Sequence, residues 1–192
     1  MKDLGDLHYF LGVEVQTNEK GLLLSQTKYA LDLLQRAFMT DAKPISIPFV
    51  VSQHLSAEGK LFSDPTLFRS LVGALQHLTI TRPDLSFSVN SICQFMHAPT
   101  VGHFHALKRI LHYVKGTSHH GLQLHKQSIH DLITYSYVDW ACCLDTRHST
   151  TGYAIFFYDN LISWSSKKQS IVSHSSAEVK YRFLAIATID IA

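Results

Sequence analysis

Cysteine is scarce in this sequence: Cys93 and the adjacent Cys142 and Cys143 are the only three among 192 residues. At these positions they form neither a disulfide framework nor a zinc site with the usual ligand spacing, which indicates a reducing compartment. Long hydrophobic runs are also absent, because none approaches the roughly 20 apolar residues that span a bilayer. The N-terminal segment lacks the apolar core of a signal peptide. We therefore predict an intracellular protein, cytoplasmic or nuclear, that is not secreted and has no membrane partner.

Charge of one sign is not in excess either. The 17 basic and 15 acidic side chains leave a formal net charge of +2, which is too small to predict nucleic-acid binding from charge alone. The hydrophobic fraction of 46% is typical of a folded protein and argues against disorder along the whole chain. The length suits one ordinary domain or two small ones.

The first part of the chain has the pattern of a β-hairpin followed by helices. Residues 8–16 and 22–26 predict two strands, joined by a turn in which Asn18 and Gly21 supply positive φ angles. Apolar residues at helical spacing predict a helix over residues 26–39, with Phe38 on its apolar face. Residues 43–60 contain prolines without periodicity and predict a loop.

Three more helices are predicted upstream of residue 116. Two begin with proline in the first turn, where the missing N–H costs nothing: Pro65 after an Asp64 cap, and Pro83. The third covers residues 100–115 and carries the most basic face in the sequence. Residues 116–128, rich in glycine, histidine and polar side chains, predict a loop.

The last third of the chain changes to strand-like patterns. Residues 132–138, 152–158 and 161–166 predict three strands, the last two joined by a tight turn at Asp159 and Asn160. Serines within residues 173–176 then cap a final helix over residues 177–189.

These strands and the final helix carry long, specific motifs: YSYVDWACC at residues 135–143, DTRHSTTGY at 145–153, ISWSSKKQ at 162–169 and SSAEVKY at 175–181. Together they resemble the opening of a ribonuclease H domain from a copia-type retrotransposon polyprotein. Upstream, MKDLGDLHYFLGVEV, LLLSQTKYALDLL, SLVGALQHLTITRPDLSFSVN and ALKRILHYVKGT look like the part of a copia-type reverse transcriptase that follows its polymerase carboxylates. The resemblance therefore covers nearly the whole chain.

The resemblance implies a mixed fold of the α+β or α/β class. Residues 1–125 are expected to form the end of the polymerase palm with its hairpin, and a helical thumb and connection-like region. Residues 129–192 are expected to form a truncated ribonuclease H-like domain with a three-stranded antiparallel sheet and one helix. An adjacent aspartate pair, as in a YVDD-like turn, does not occur in this sequence, so the polymerase site is expected to lie outside it.

The intact family is expected to cleave the RNA strand of an RNA/DNA hybrid with two magnesium ions held by clustered carboxylates. Magnesium prefers anionic oxygen ligands. Tyr137 stands where the family has an aspartate, and Lys180 where it has a glutamate. The resemblance implies two further aspartates on a later strand and a later helix, which would lie beyond Ala192. We therefore predict that this chain is catalytically inactive and uses no cofactor.

Two neighbouring carboxylates are the residual catalytic candidates. Asp139 lies two residues from Tyr137, so on a strand the two side chains share a face. The alternative to a catalytic role for Asp139 is a hydrogen-bonding role at the end of a strand. Glu178 lies two residues from Lys180, but on a helix this offset turns the side chain by roughly 200°. The alternative to a catalytic role for Glu178 is a negative charge in the first turn of the helix, where it interacts favourably with the helix dipole.

Binding of an RNA/DNA hybrid or of duplex nucleic acid, weak in either case, is the competing prediction. Its candidate residues are Lys108, Arg109, His112 and Lys115 on one helix, and Trp164, Lys167 and Lys168 near the end of a strand. The alternatives are a solvated helix face for the first group and a half-buried core position for Trp164. No metal site is predicted at His103 and His105 or at His119 and His120, because neither spacing shares a face on a regular element.

Overall fold

The computed structural model describes residues 7–50, 55–126, 131–143 and 145–191. Within these ranges the chain is a mixed α and β protein with two antiparallel sheets. The strands are β1 (Tyr9–Phe10), β2 (Val13–Asn18), β3 (Gly21–Ser25), β4 (Gly121–His125), β5 (Leu132–Asp139), β6 (Thr150–Phe157) and β7 (Asn160–Lys168). The helices are α1 (Thr27–Arg36), α2 (Pro65–Leu78), α3 (Ser86–Cys93), α4 (Val101–Gly116) and α5 (Ser176–Ile191). Among the described residues, no helix combines the length and apolar character needed to cross a membrane.

The predicted hairpin corresponds to β2 and β3, which form the centre of the first sheet with the strand order β1-β2-β3-β4. The prediction of one strand over residues 8–16 was wrong, because a turn divides this segment into β1 and β2. Leu11 and Gly12, with φ angles of 48° and 83°, make the two-residue turn between β1 and β2. At the next turn Gly21 has the predicted positive φ, 136°. The prediction of a positive φ at Asn18 was wrong, because this residue is the last of β2. Its side-chain Oδ1 accepts the Lys20 backbone N–H at 3.0 Å.

The fourth strand of this sheet was not predicted, since residues 116–128 were assigned to a loop. β4 pairs antiparallel with β3, with Gly121 opposite Ser25 and Leu124 opposite Leu22. A Cβ at Gly121 would collide with the Leu24 carbonyl oxygen, so the close approach of the two strands requires glycine here.

The helices enclose the main hydrophobic core. The apolar residues that recur at helical spacing in α2 are all buried: Phe68, Leu71, Val72, Leu75 and Leu78. Asp64 caps this helix as predicted, since its Oδ1 accepts the Leu67 N–H at 2.9 Å. Pro83 begins a short 3₁₀ helix, Pro83–Leu85, which leads into α3.

The first helix is shorter than its apolar pattern predicts. α1 ends at Arg36, and Phe38 has a positive φ of 54° and a side chain that is 94% exposed. Because the chain has already left the helix, Phe38 no longer shares the face of Leu33 and Leu34, which are buried. The prediction of a buried Phe38 was therefore wrong.

The second sheet has the order β5-β6-β7, and both pairings are antiparallel, as predicted. The turn between β6 and β7 lies one residue earlier than predicted, at Tyr158 and Asp159, because Phe157 pairs with Asn160. Tyr158 takes the positive φ, at 55°. In the described part of the chain, β5 has β6 as its partner on one side and no strand on the other.

The second sheet lies between α5 and the helical core. On one face, the Tyr153 and Phe183 rings are in contact, with centroids 6.2 Å apart. On the other face, the Trp164 indole N–H donates to the Thr79 carbonyl at 3.1 Å. Polar contacts also join the second sheet and the loop before β6 to earlier parts of the chain. Ser56 and Ala57 contact Asp145, and His125 contacts Asn160. A boundary between residues 125 and 129 stays a prediction.

Candidate functional site

Tyr137 and Asp139 lie on the same face of β5, as their spacing predicts. In the register of the sheet, Tyr137 is opposite Gly152 and Asp139 is opposite Thr150. Paired residues of antiparallel strands project to the same side. Both side chains line a cavity between the sheet and the N-terminal end of α3. Tyr137 is 70% exposed, so it is not a core tyrosine.

The helix that carries Glu178 and Lys180 packs against the opposite face of the sheet. Tyr153, which contacts α5 through Phe183, alternates with Gly152 along β6 and therefore points away from the side of Tyr137. Lys180 itself is exposed. Among the described residues that line cavities with Asp139, none comes from α5. The structure thus places the two candidate carboxylates on different faces and does not bring them to one site.

Glu178 has the alternative role that its position predicts. Its Oε2 accepts the His174 backbone N–H at 2.9 Å, and its own N–H donates to Ser175 Oγ at 3.1 Å. Arg182, one turn later, donates to Oε1 at 3.0 Å and forms an ion pair with it. The His174 N–H, followed by Arg182, holds the pKa of this carboxyl below its ordinary value despite partial desolvation. Glu178 therefore stabilises the start of α5.

The donor set does not fit a pair of magnesium ions. In the part of the chain that the structure describes, no three His, Cys, Asp or Glu side chains come together as ligands would. Two dications require several carboxylates within reach of each ion, and the described residues that line cavities with Asp139 include no second carboxylate. The His119 and His120 rings do meet edge to face at 4.8 Å, but they lie in a turn and gather no third ligand.

The predicted basic face of α4 is only partly free. Lys108 is exposed, with its ammonium 5.0 Å from the centre of the Phe104 ring. His112 is half-buried, and its Nδ1 lies 2.7 Å from the Lys43 carbonyl oxygen. Arg109 and Lys115 are also half-buried. The structure therefore leaves Lys108 as the most accessible cation of this group.

The second predicted group divides between the two faces of β7. Trp164 and Lys168 project toward the helical core, whereas Lys167 projects to the side of α5 and is exposed. The Trp164 indole is held by Thr79, in agreement with the alternative of a half-buried packing role. The Lys168 ammonium donates to Cys143 Sγ at 3.1 Å, so it too has an internal partner.

The sequence reasoning missed the environment of Cys143. Burial alone would raise the pKa of this thiol, but hydrogen bonds from Thr146 and Lys168 outweigh it and hold the pKa below its ordinary value. Lys168 is 25 residues away in sequence, and only the pairing of β6 with β7 brings it close. No local motif carries that signal.

Comparison with known proteins identifies the family. The chain is 51% identical over 191 residues to the uncharacterized mitochondrial protein AtMg00810 of Arabidopsis thaliana, covering 100% of this chain and 80% of that protein. It is 49% identical over 186 residues to the retrovirus-related Pol polyprotein from transposon RE1 of Arabidopsis thaliana. The chain belongs to the copia-type retrotransposon Pol polyprotein family. A polyprotein of the same family, from transposon TNT 1-94 of Nicotiana tabacum, is 35% identical over 193 residues.

The copia-type chain is short relative to the polyproteins it matches, since it spans 13% of the RE1 polyprotein and 14% of the TNT 1-94 polyprotein. No protein-family model matches it. No solved structure matches it either. Membership of the copia-type family therefore rests on sequence identity across nearly the whole chain.

Proposed function

We propose that this chain is a catalytically inactive segment of the reverse transcriptase and ribonuclease H region of a copia-type polyprotein. Residues 1–125 correspond to the end of the palm, the thumb and the connection-like region, and residues 129–192 to the opening strands and first helix of a ribonuclease H-like domain. The order β5-β6-β7-α5 supports the second assignment, because three antiparallel strands followed by a helix is what the resemblance implies for the start of that domain.

One observation carries the proposed inactivity: the two family carboxylate positions hold a phenol and an ammonium group. Phenols are neutral at pH 7 and do not replace a carboxylate toward magnesium. An ammonium at Lys180 adds a positive charge where dications are needed. Asp139 and Glu178 do not compensate, because they lie on opposite faces of the sheet and Glu178 is engaged by His174 and Arg182.

The test is cleavage of a labelled RNA/DNA hybrid by the purified 192-residue chain with magnesium or manganese. We expect no cleavage above a protein-free control. Asp139→Asn is the matched variant, and it should behave like the unmodified chain. Magnesium-dependent cleavage that disappears in Asp139→Asn would show that a displaced site exists and would overturn the proposed inactivity.

The second candidate is a non-catalytic module that binds RNA/DNA hybrid or duplex weakly. Exposed Lys108 on α4 and exposed Lys167 on β7 favour it. Each phosphate contact steepens the dependence of the logarithm of affinity on the logarithm of salt by about one. Fluorescence anisotropy between 50 and 200 mM salt should therefore give a slope near −2, lowered in magnitude by about one in Lys108→Gln or Lys167→Gln.

A control separates specific contacts from general charge. Lys28→Gln, on α1, removes an exposed lysine outside the predicted set and should leave the slope unchanged. Binding that is undetectable, or that does not weaken as salt rises, would rule out the nucleic-acid module.

A further inference from the structure

A cavity of about 370 Å³ lies where the second sheet meets the N-terminal end of α3. Strands β5, β6 and β7 form one wall, and Pro83, Ser86 and Phe87 form the opposite wall. Tyr135 and Tyr137, on the β5 side, are 62% and 70% exposed, so the cavity opens to solvent there. Its volume is within the range of small-molecule sites, roughly 300 to 1,000 Å³.

The walls present aromatic rings from both sides. Tyr135, Tyr137 and Trp164 come from the sheet, and Phe87 comes from α3. Three of these rings have neighbours that fix them: Tyr135 meets Phe156 edge to face at 5.7 Å, Phe87 meets Phe49 at 5.5 Å, and the Trp164 indole donates to Thr79. Aromatic rings held in place favour a ligand with a flat apolar part that can stack on them. The faces of such rings also attract cations.

Asp139 supplies the charge of this cavity. Among the described residues that line it, Asp139 alone is charged. Its carboxylate has no hydrogen-bond or ion-pair partner within the described ranges. Lys168, opposite Thr150 and so two strands away, has its ammonium 3.1 Å from Cys143 Sγ. The cavity therefore has an unneutralised negative charge at one end and an uncharged aromatic interior.

One polar atom on the far wall lacks a partner. Ser86 Oγ is buried and makes no hydrogen bond to any described residue. Because this oxygen has almost no accessible surface, Ser86 closes the far wall of the cavity without offering a polar contact to a ligand.

We propose that this cavity binds a small organic cation with a flat apolar body, of the arylalkylamine class, with its ammonium at Asp139 and its ring among Tyr135, Tyr137 and Trp164. The cavity shares Asp139 with the residual catalytic candidates and Trp164 with the predicted nucleic-acid set, but neither Lys108 nor Lys167 lines it.

The test is isothermal titration of the full chain with three probes of similar size: 2-phenylethylamine, 2-phenylethanol and 3-phenylpropionate. An accessible ion pair contributes about 1 kcal/mol, which corresponds to a preference of roughly fivefold for the amine over the alcohol. The carboxylate probe should bind more weakly than the alcohol. Ala154→Phe, which fills the cavity from β6, should abolish binding of the amine and the alcohol.

Two carboxylate variants isolate the charge. Asp139→Asn should remove the preference for the amine while leaving the affinity for the alcohol unchanged. Asp131→Asn, an exposed carboxylate just before the other end of β5, should keep the preference. A thermal melt of each variant shows that it remains folded. Equal affinity for amine and alcohol in the unmodified chain, or no saturable binding of the amine, would overturn the proposal.

Discussion

The buried guanidinium of Arg82 joins two distant parts of the helical core. Its side chain is 2% exposed. It donates to both carboxylate oxygens of Asp84, at 2.9 and 2.7 Å. It also donates to the Thr117 carbonyl and hydroxyl at 2.7 and 2.8 Å, which ties the start of the 3₁₀ helix to the end of α4. Tyr113 adds a hydrogen bond to Asp84 from its hydroxyl.

Asp84→Ala leaves this guanidinium buried without its counter-charge. Removing one partner of a fully buried ion pair costs about 3–5 kcal/mol. Because the Asp84 side chain is 36% exposed, water compensates in part, and we expect a loss of about 2–3 kcal/mol. For a chain of this size each kcal/mol lowers Tm by about 2–4 °C, which predicts a decrease of about 4–12 °C.

Urea unfolding at pH 7 measures this loss, and the double variant Arg82→Met with Asp84→Ala is the control. Replacing both charges leaves no unpaired buried charge, so the double variant should be more stable than Asp84→Ala alone. A loss below about 0.5 kcal/mol in Asp84→Ala, typical of surface substitutions, or a double variant less stable than the single one, would refute the reasoning.

The same pair predicts a pH dependence. Burial alone would raise the pKa of Asp84, but the hydrogen bonds and charge of Arg82, together with Tyr113, outweigh it and leave the pKa below its ordinary value of 3.8. The stabilisation is therefore complete above pH 3.8 and is lost as pH falls through the lower pKa of the folded state. The difference in stability between the unmodified chain and Asp84→Ala should be constant near neutrality and shrink in strong acid.

Three further predictions test other parts of the structure. Burial raises the pKa of Cys93, whereas Thr146 and Lys168 lower that of Cys143. Iodoacetamide at neutral pH should therefore alkylate Cys143 faster than Cys93, and Lys168→Met should slow the alkylation of Cys143. Equal alkylation rates of the two thiols by mass spectrometry would contradict this. Burial lowers the pKa of His103, whose Nδ1 accepts the Thr100 N–H. The contribution of the neutral imidazole to stability is therefore complete above about pH 6.5, and the free energy of unfolding falls at lower pH by at most ~1.4 kcal/mol per pH unit. In urea melts, His103→Gln should lose this pH dependence. Residues 129–192 expressed alone should be poorly soluble, because in the described part of the chain β5 has no strand on one side and apolar side chains such as Ile133 are exposed. A sharp cooperative melt of this piece would count against the prediction.

Local signals predicted the helices well. Asp64 before Pro65, and apolar residues every three or four positions after it, define both the cap and the buried face of α2 without help from the rest of the chain. The three strands β5 to β7 were predicted because their β-branched and aromatic residues lie between clear turn residues. These features depend on neighbours within a few residues, which the sequence shows directly.

The errors at Asn18 and Phe38 are local, whereas the missed strand β4 depends on a distant part of the chain. β4 is five residues long, and its partner β3 is about 100 residues earlier, so its short alternation of leucines was not enough to predict a strand. Phe38 fits the helical period, but the helix ends before it. The offset of two residues on a helix did predict that Glu178 points away from the site, whereas its position on the opposite face of the sheet follows from how α5 packs.

Ribonuclease H activity is the property that tests the central claim most directly. A sample of the full chain that melts cooperatively is incubated in molar excess over a labelled RNA/DNA hybrid, with magnesium, and the RNA strand is followed over many hours. Because Tyr137 and Lys180 occupy the two carboxylate positions, we expect the RNA to remain intact, as in the absence of protein. Cleavage that requires magnesium and scales with the amount of folded chain would contradict the proposal that the chemistry of this copia-type segment has been lost.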